Sequence, residues 1–180
     1  SLGDDVLKSS YTIESDMEGN LWIGTPAHGL HQLRPRHVRK VLLPTPDESA
    51  SIFTLHESPE RGIWIRNACS DLWHYQQGRI ERGPQALHDL PGCIHSMEVR
   101  QDGALWLAHG HHISSWHEGV LTSISTPKKA TGFDVSVVQE DAQGRMWLGT
   151  KGAGAFVQTK NGWHQWSMKQ GLPDTHVHSI

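Results

Sequence analysis

The chain has 180 residues, of which 36% are hydrophobic, and this length suffices for one ordinary domain with a sizeable core. The formal net charge of −3 argues against a nucleic-acid-binding surface, which normally carries a basic stripe. No apolar run approaches the roughly 18–20 residues that a membrane-spanning helix needs.

Four tryptophans recur along the chain at a nearly constant spacing. Trp22, Trp64, Trp106 and Trp147 lie 42, 42 and 41 residues apart, each inside an apolar-Trp-apolar segment that follows a glycine-bearing turn. A period in the forties with strand-like texture is typical of the blades of a β-propeller. We therefore predict an all-β fold with repeated four-stranded blades.

The first strand of each repeat is an apolar segment before the tryptophan: residues 7–13, 52–55, 94–99 and 135–138. A polar turn follows, and it is most regular at Asp16 with Gly19 and at Asp141 with Gly144. Asp can accept hydrogen bonds from backbone amides two residues on, and Gly accepts a positive φ, so the pair predicts a tight strand reversal. The second and third repeats deviate, with Ser58 and Arg100 at the Asp position and Arg61 at the turn glycine.

The second strand carries the tryptophans, which alternation places on one face, where we expect them to wedge between neighbouring blades. Two further strands complete each blade, and their predicted positions are 29–33 with 38–43, 72–75 with 78–81, 113–116 with 119–121, and 155–157 with 162–166. Short turns between the strands predict an up-and-down antiparallel sheet. Connectors containing proline separate the blades at 44–48, 84–91, 127–131 and 167–174.

These elements predict four blades, at about residues 4–43, 49–82, 92–124 and 133–167. Residues 171–180 align with the opening of the first repeat and are interpreted as the first strand of a fifth blade. Four closed blades would leave no place for that strand, so we expect a segment of a larger propeller with about seven blades. A closed four-bladed ring is the alternative.

The repeat resembles the two-component regulator propeller repeat. The first copy matches its pattern from Asp16 through Thr25 and on to Gly29-Leu30, and the fourth from Asp141 through Thr150, with Gly154-Ala155 at the later position. The second and third copies keep the tryptophan but lose the Asp and the Gly-Thr pair.

This resemblance implies a sensor region of a bacterial membrane receptor, located in the periplasm and followed by a histidine kinase or diguanylate cyclase output. Its implied partners are the remaining blades and the membrane-linked output domain of the same protein. The motif residues make turns and wedges, so the resemblance implies no ligand-binding or catalytic positions.

Ligands of propellers usually meet the central channel or the face formed by the loops between second and third strands. Six residues at or beside those loops are candidates for ligand binding: His28, Asp71, His109, His111, His112 and Lys151. The expected ligand is a small molecule, in particular a saccharide, because outer-strand aromatic residues could stack on sugar rings. Those aromatic residues are Trp73, Tyr75, Trp116, Trp163 and Trp166, and covering the edge of a blade is their alternative role.

The run His109-Gly110-His111-His112 could hold Zn²⁺ or Cu²⁺, but no third ligand lies nearby in sequence. We therefore expect no metal and no cofactor, and surface histidines are the simpler interpretation. Cys69 and Cys93 match no metal or redox spacing, so two buried or free thiols are expected.

The predicted function is a non-catalytic sensor module, because the sequence holds no nucleophile elbow, phosphate-binding loop or His-Glu-x-x-His motif. Two alternatives stay open. One is a protein-interaction scaffold that self-associates through exposed blade faces. The other is a propeller lyase, a class that also uses tryptophan-bearing repeats.

Overall fold

The computed structural model describes residues 12–26, 28–34, 37–45, 51–58, 62–67, 69 and 71–180. The predicted strand start at 7–11, Arg61 and most of the connector at 44–48 lie outside these residues. The chain divides into two compact units, residues 1–89 and 90–180. Each unit contains two four-stranded sheets.

The first unit contains two antiparallel sheets whose strands follow one another in chain order. The strands of the first sheet are β1 (Thr12–Ser15), β2 (Leu21–Thr25), β3 (Gly29–Arg34) and β4 (His37–Val41). Those of the second sheet are β5 (Thr54–Ser58), β6 (Gly62–Arg66), β7 (Leu72–Gln76) and β8 (Arg79–Arg82). A short helix, α1 (Gln85–His88), follows β8.

The second unit repeats this arrangement, again with antiparallel neighbours in chain order. The strands of the third sheet are β9 (Ile94–Val99), β10 (Leu105–His109), β11 (His112–His117) and β12 (Val120–Ile124). Those of the fourth are β13 (Val135–Glu140), β14 (Met146–Thr150), β15 (Ala155–Thr159) and β16 (Gly162–Trp166). The prediction of four antiparallel four-stranded blades is confirmed, and we number the blades in chain order.

Strand boundaries differ from the predicted ones by a few residues, mainly at the outer strands. Two connectors that the sequence predicts as loops contain helical turns. Pro84 precedes α1, and Pro127 precedes the 3-10 turn Lys128–Ala130. A second 3-10 turn, Met168–Gln170, follows β16. Proline fits the position before a helix because its missing amide hydrogen is not needed there.

The Asp-Gly turns have the geometry that the sequence predicts. Asp16 Oδ1 accepts the amide of Glu18 at 3.0 Å, and Gly19 has φ 76°. In the fourth blade Asp141 Oδ1 accepts the amide of Gln143 at 3.0 Å, and Gly144 has φ 74°. Each carboxylate therefore closes the reversal between the first and second strands of its blade.

The same carboxylates hold the repeat tryptophans, a contact that the sequence did not indicate. The indole nitrogen of Trp22 donates to Asp16 Oδ2 at 2.8 Å, and that of Trp147 donates to Asp141 Oδ2 at 2.8 Å. Burial acts to raise the pKa of Asp16, but the hydrogen bonds from Trp22 and Asn20 outweigh it and lower that pKa below its ordinary value.

The Gly-Thr pair at the end of the second strand also has a structural reason. A Cβ atom on Gly24 would lie 2.5 Å from Ile52 Cγ2, and one on Gly149 would lie 2.7 Å from Val177 Cγ1. The backbone amide of Ile52 donates to the backbone carbonyl of Thr25 at 3.0 Å, so the two segments are also hydrogen-bonded. Glycine is therefore required where the following segment of chain crosses the second strand closely.

The repeat tryptophans differ in burial. Trp22 is 1% exposed and packs with Ile63, Ile65 and Tyr75 of the following blade in the core of the first unit. Trp106 is 4% exposed and packs with residues of the fourth blade in the core of the second unit. Trp64 and Trp147 are half-buried. The edge-to-face contact of Trp22 with Tyr75, at 4.7 Å between centroids, shows how such a tryptophan joins two blades.

Cys69 and Cys93 are both disulfide-bonded, so the expectation of buried or free thiols is wrong. Spacing alone could not reveal this, because a disulfide depends on distance in space rather than along the chain. Among the described residues, no helix has both the length and the apolar character required to traverse a bilayer.

Candidate functional site

His109, one of the predicted ligand-binding residues, is a buried structural residue. Its side chain lies at the end of β10, and the residue is 2% exposed. Nδ1 lies 2.8 Å from the carbonyl oxygen of Pro91, and Nε2 lies 2.8 Å from Ser114 Oγ. A carbonyl can only accept, so Nδ1 carries the proton and Nε2 accepts from the serine hydroxyl. Both ring nitrogens are therefore occupied, and His109 is not available to a metal or an external ligand.

Two other predicted residues, His111 and Lys151, meet at a carboxylate that the sequence analysis missed. Asp134 Oδ1 lies 3.2 Å from His111 Nδ1, and Asp134 Oδ2 lies 3.4 Å from Lys151 Nζ. The backbone amide of Lys151 also donates to the carbonyl of Asp134 at 2.9 Å. We call these three residues the Asp134 cluster.

The Asp134 cluster lies at the surface of the second unit. Its side chains are 54%, 34% and 43% exposed for His111, Asp134 and Lys151. Exposed ion pairs of this kind contribute up to about 1 kcal/mol, so a polar ligand could replace one of the contacts at little cost. The cluster therefore offers a cation, a carboxylate and an imidazole to a hydroxylated or charged small molecule.

The local sequence explains how the cluster forms. His111 lies in the turn between β10 and β11, Asp134 directly precedes β13, and Lys151 directly follows β14. These positions are at one end of their strands, because antiparallel neighbours place every second connection on the same side of a blade. The sequence offered one signal for Asp134, because it is an acidic residue directly before β13, whereas Phe53 and Cys93 precede β5 and β9.

The chain after β16 packs beside the Asp134 cluster. The carbonyl of Thr175 accepts the amides of Gly152 and Gly154 at 3.1 and 2.9 Å, and Val177 donates to the carbonyl of Thr150 at 3.0 Å. Lys151 forms an isolated antiparallel bridge with His176. The loop that carries Lys151 is thus held by the segment at 175–177.

The remaining predicted residues do not join the cluster through hydrogen bonds or ion pairs in the described part of the chain. His112 is exposed, and its ring lies 5.7 Å from that of His109. His28 is exposed in the turn between β2 and β3, where its backbone amide donates to Thr25 Oγ1 at 3.0 Å.

Asp71, the sixth predicted residue, has a structural role at the start of β7. Its carboxylate accepts from the indole of Trp73 at 3.2 Å and from Arg82 at 3.3 Å, and His88 Nδ1 of α1 lies 3.4 Å away. It therefore ties α1 and β8 to the start of β7 within the first unit.

No group of three or more His, Cys, Asp or Glu side chains that could hold a metal ion occurs among the described residues. For the histidine run at 109–112, the reason is local. His109 is buried with both nitrogens bonded, and His111 faces Asp134.

Residues 134–152, which begin at Asp134 and end one residue after Lys151, match the family described as the two-component regulator propeller. One copy of the two-component regulator propeller repeat therefore lies at residues 134–152. The resemblance seen in the sequence is confirmed for that copy. No curated protein sequence matches the chain.

Solved structures of propellers share the fold of this chain. The extracellular domain of the hybrid two component system BT3049 from B. thetaiotaomicron superposes with a TM-score of 0.76. The identity is 18%, and the match covers 93% of this chain and 24% of that one. The corresponding domain of BT4673 from the same organism gives a TM-score of 0.73 with 18% identity over 99% of this chain and 23% of that one. Virginiamycin B lyase from Staphylococcus aureus gives 0.71 with 17% identity over 93% of this chain and 57% of the lyase.

The chain therefore spans a little more than half the length of the lyase and about a quarter of the two-component domains. At these identities the likeness shows the propeller fold and leaves the activity open.

Proposed function

We propose that this chain is a non-catalytic sensor module of a bacterial two-component-type receptor and lies in the periplasm. The observation that carries the proposal is the two-component regulator propeller repeat at 134–152, whose two ends supply Asp134 and Lys151. The shared fold with extracellular domains of two-component systems supports the same role.

The disulfide-bonded state of Cys69 and Cys93 supports a location outside the cytoplasm. Disulfides form and persist in oxidising compartments such as the bacterial periplasm, and they are rare in the reducing cytoplasm. A sensor region that precedes a membrane-linked output domain would meet these conditions.

We propose the Asp134 cluster as the place where this module contacts a small polar ligand such as a saccharide. Its carboxylate, ammonium and imidazole groups can donate and accept hydrogen bonds, and all three are solvent-accessible. A ligand there would touch the loop after β14, which is hydrogen-bonded to the segment at 175–177. Ligand binding can signal only if the ligand has unequal affinity for two receptor states.

The test is a binding screen on the complete protein. Neutral and charged mono- and disaccharides are screened by thermal shift, and each hit is measured by isothermal titration calorimetry. A ligand at about 100 times its Kd should add about 2.7 kcal/mol to the free energy of unfolding. The double variant Asp134→Asn with Lys151→Ala should weaken binding at least tenfold.

Lys160→Ala is the matched control, because Lys160 is an exposed lysine in the turn between β15 and β16, away from the loop after β14. Unchanged affinity in this control separates a local effect from a change in net charge. The proposal fails if no small molecule binds, or if the double variant binds every hit as tightly as the original protein.

A lyase activity is the second candidate, because the fold is shared with virginiamycin B lyase at a TM-score of 0.71. Incubation of the complete protein with virginiamycin B, followed by mass spectrometry, tests it directly. We expect the antibiotic to stay intact over hours at micromolar protein. Conversion at a rate proportional to protein concentration would overturn the non-catalytic role.

A further inference from the structure

A groove of about 840 Å³ lies on the second unit, and its lining does not include the residues of the Asp134 cluster. One wall is the connector 125–129 after β12, and the other consists of β16 and the 3-10 turn Met168–Gln170. We call it the Trp163 groove, after the indole between the two walls. A cavity of this volume falls within the range of ordinary small-molecule sites.

The charge of the Trp163 groove has one sign. Lys128, Lys129 and Lys169 line it, and no Asp or Glu does. The three ammonium groups make no ion pair or hydrogen bond within the described part of the chain, whereas Lys151 is paired with Asp134. Low-dielectric walls lined by charges of one sign concentrate ions of the opposite sign, so the groove should attract anions.

The walls are held in place while the lysines stay free. The indole nitrogen of Trp163 donates to the carbonyl of Ser125 at 3.0 Å, which joins the two walls. Ser167 and Gln170 form a capping box that fixes the 3-10 turn, and Gln165 donates to the carbonyl of Ala153 at 2.9 Å. The cost of ordering the site on binding is thus reduced.

The groove also offers a surface for a sugar ring. Trp163 packs against the core of the second unit on one side and is half-exposed. The aromatic face can contact the apolar face of a pyranose, and its nitrogen is already bonded, so it does not compete for polar groups. The Asn161 side chain at the rim supplies an amide that makes no hydrogen bond with the described residues.

We propose that the Trp163 groove binds an anionic saccharide of two or three units, whose carboxylate or sulfate groups pair with Lys128, Lys129 and Lys169 while one ring lies against Trp163. This inference rests on the proposed sensor role, and it adds to the Asp134 cluster a second site for one class of ligand. It assigns that ligand to residues outside the family repeat at 134–152.

The experiment measures binding to the complete protein by isothermal titration calorimetry with five probes. These are digalacturonate, a sulfated disaccharide, cellobiose, inorganic sulfate and inorganic phosphate, each at 50 and 300 mM NaCl. The two anionic sugars separate carboxylate from sulfate as the recognised group. We expect at least one of them to bind more than tenfold tighter than cellobiose or either inorganic ion, and more weakly at 300 mM NaCl because salt screens the lysines.

The triple variant Lys128→Ala, Lys129→Ala, Lys169→Ala should lose at least tenfold in affinity for that sugar. The control Lys40→Ala, which changes an exposed lysine of β4 in the first unit, should not. Thermal unfolding of each variant shows that the fold is kept. Trp163→Phe keeps an aromatic ring, and Trp163→Ala removes it, so affinity should fall more in the second variant than in the first.

Equal affinity of the triple variant and the original protein would overturn the inference, and so would equally tight binding of inorganic sulfate or phosphate. If neutral saccharides alone bind, and the Asp134→Asn, Lys151→Ala variant loses them, the groove assignment fails while the sensor proposal stands. If no probe and no saccharide binds, both fail.

Discussion

The guanidinium carbon of Arg100 lies 5.4 Å from the centroid of the Trp106 ring. Arg100 occupies the position at which the first and fourth blades have Asp16 and Asp141, each bonded to its tryptophan at 2.8 Å. The third blade thus keeps its tryptophan with a cation–π contact in place of a hydrogen bond. Arg100 also donates to Glu140 Oε1 at 3.1 Å, which ties the third blade to the fourth.

The Asp16–Trp22 bond predicts a measurable loss on removal of the carboxylate. Asp16→Ala leaves the indole nitrogen of a tryptophan that is 1% exposed without an acceptor. An unsatisfied buried donor costs about 1–3 kcal/mol, and the carboxylate is partly exposed, so we expect a fall of about 1–2 kcal/mol in the free energy of unfolding. Urea denaturation at pH 7 measures it.

Asp102→Ala is the control for this prediction. Asp102 Oδ1 accepts the backbone amide of Ala104 at 3.0 Å in the equivalent turn of the third blade. Its Oδ2 lies 3.4 Å from Arg100 Nη1, and it accepts no hydrogen bond from an indole of the described residues. Its removal should cost less than that of Asp16. Equal losses would show that the turn, and not the tryptophan contact, accounts for the effect.

Gly24→Ala should destabilise the contact between the first and second blades. The new methyl group would lie 2.5 Å from Ile52 Cγ2 and 2.7 Å from Thr12 Cγ2, and overpacking of this kind costs about 1–3 kcal/mol. Adding Ile52→Ala removes the nearest obstacle, Ile52 Cγ2, and leaves the Cβ of residue 52 at 2.8 Å. The double variant should therefore lose less than the sum of its single losses, measured as a double-mutant cycle in urea. Strict additivity would contradict the clash.

His109 predicts a pH dependence of stability. Burial lowers its pKa below the ordinary value, the hydrogen bond to Pro91 acts in the opposite direction, and the nearby His112 lowers it further. The unfolded chain protonates this histidine near pH 6.5, while the folded chain does so only at lower pH. The stability from neutral His109 is therefore complete above about pH 6.5 and is lost as the pH falls through the folded-state pKa.

NMR titration of His109 and urea unfolding at pH 7.5 and 5.5 measure this effect. We expect the tautomer with the proton on Nδ1, and a smaller difference between the two pH values in His109→Gln. Some dependence should persist, because burial also lowers the pKa of His56 and of His31. A proton on Nε2, or a pKa of His109 at or above 6.5, would contradict the structure.

Reduction should weaken the protein. Loss of a disulfide typically costs about 2–4 kcal/mol, so adding a reductant should lower the midpoint of urea unfolding. Thiol titration of the denatured protein without reductant should find neither Cys69 nor Cys93 free, given that both are disulfide-bonded. The variant Cys69→Ser with Cys93→Ser should be insensitive to reductant. Two titratable thiols in protein isolated without reductant would contradict the disulfide-bonded state.

The blades could be predicted because their signals are local. Asp16 and Gly19 make a reversal within a few residues, and the tryptophan spacing repeats that reversal along the chain. The outer strand limits were less accurate, since β12 extends to Ile124 whereas its predicted end is residue 121. Outer strands have weak alternation, because few of their side chains are buried.

The candidate site was only partly predictable. His111 and Lys151 were selected for their places beside loops, but Asp134, which brings them together, lies 23 and 17 residues away along the chain. His109 was selected for the same reason and is buried. Its two partners come from different elements, since Pro91 lies in the connector before β9 and Ser114 lies in β11.

By itself the sequence determined the repeat, the turns and the order of strands in each blade, since these depend on hydrogen bonds and side-chain alternation between neighbours in the chain. The tertiary structure alone decided which polar groups face each other. It made Asp71 and His109 structural, joined Asp134 to Lys151, and left Lys128, Lys129 and Lys169 around an open groove. The physical reason is that such contacts depend on how segments far apart in the chain pack, and electrostatic and hydrogen-bond energies fall steeply with the distance between the groups.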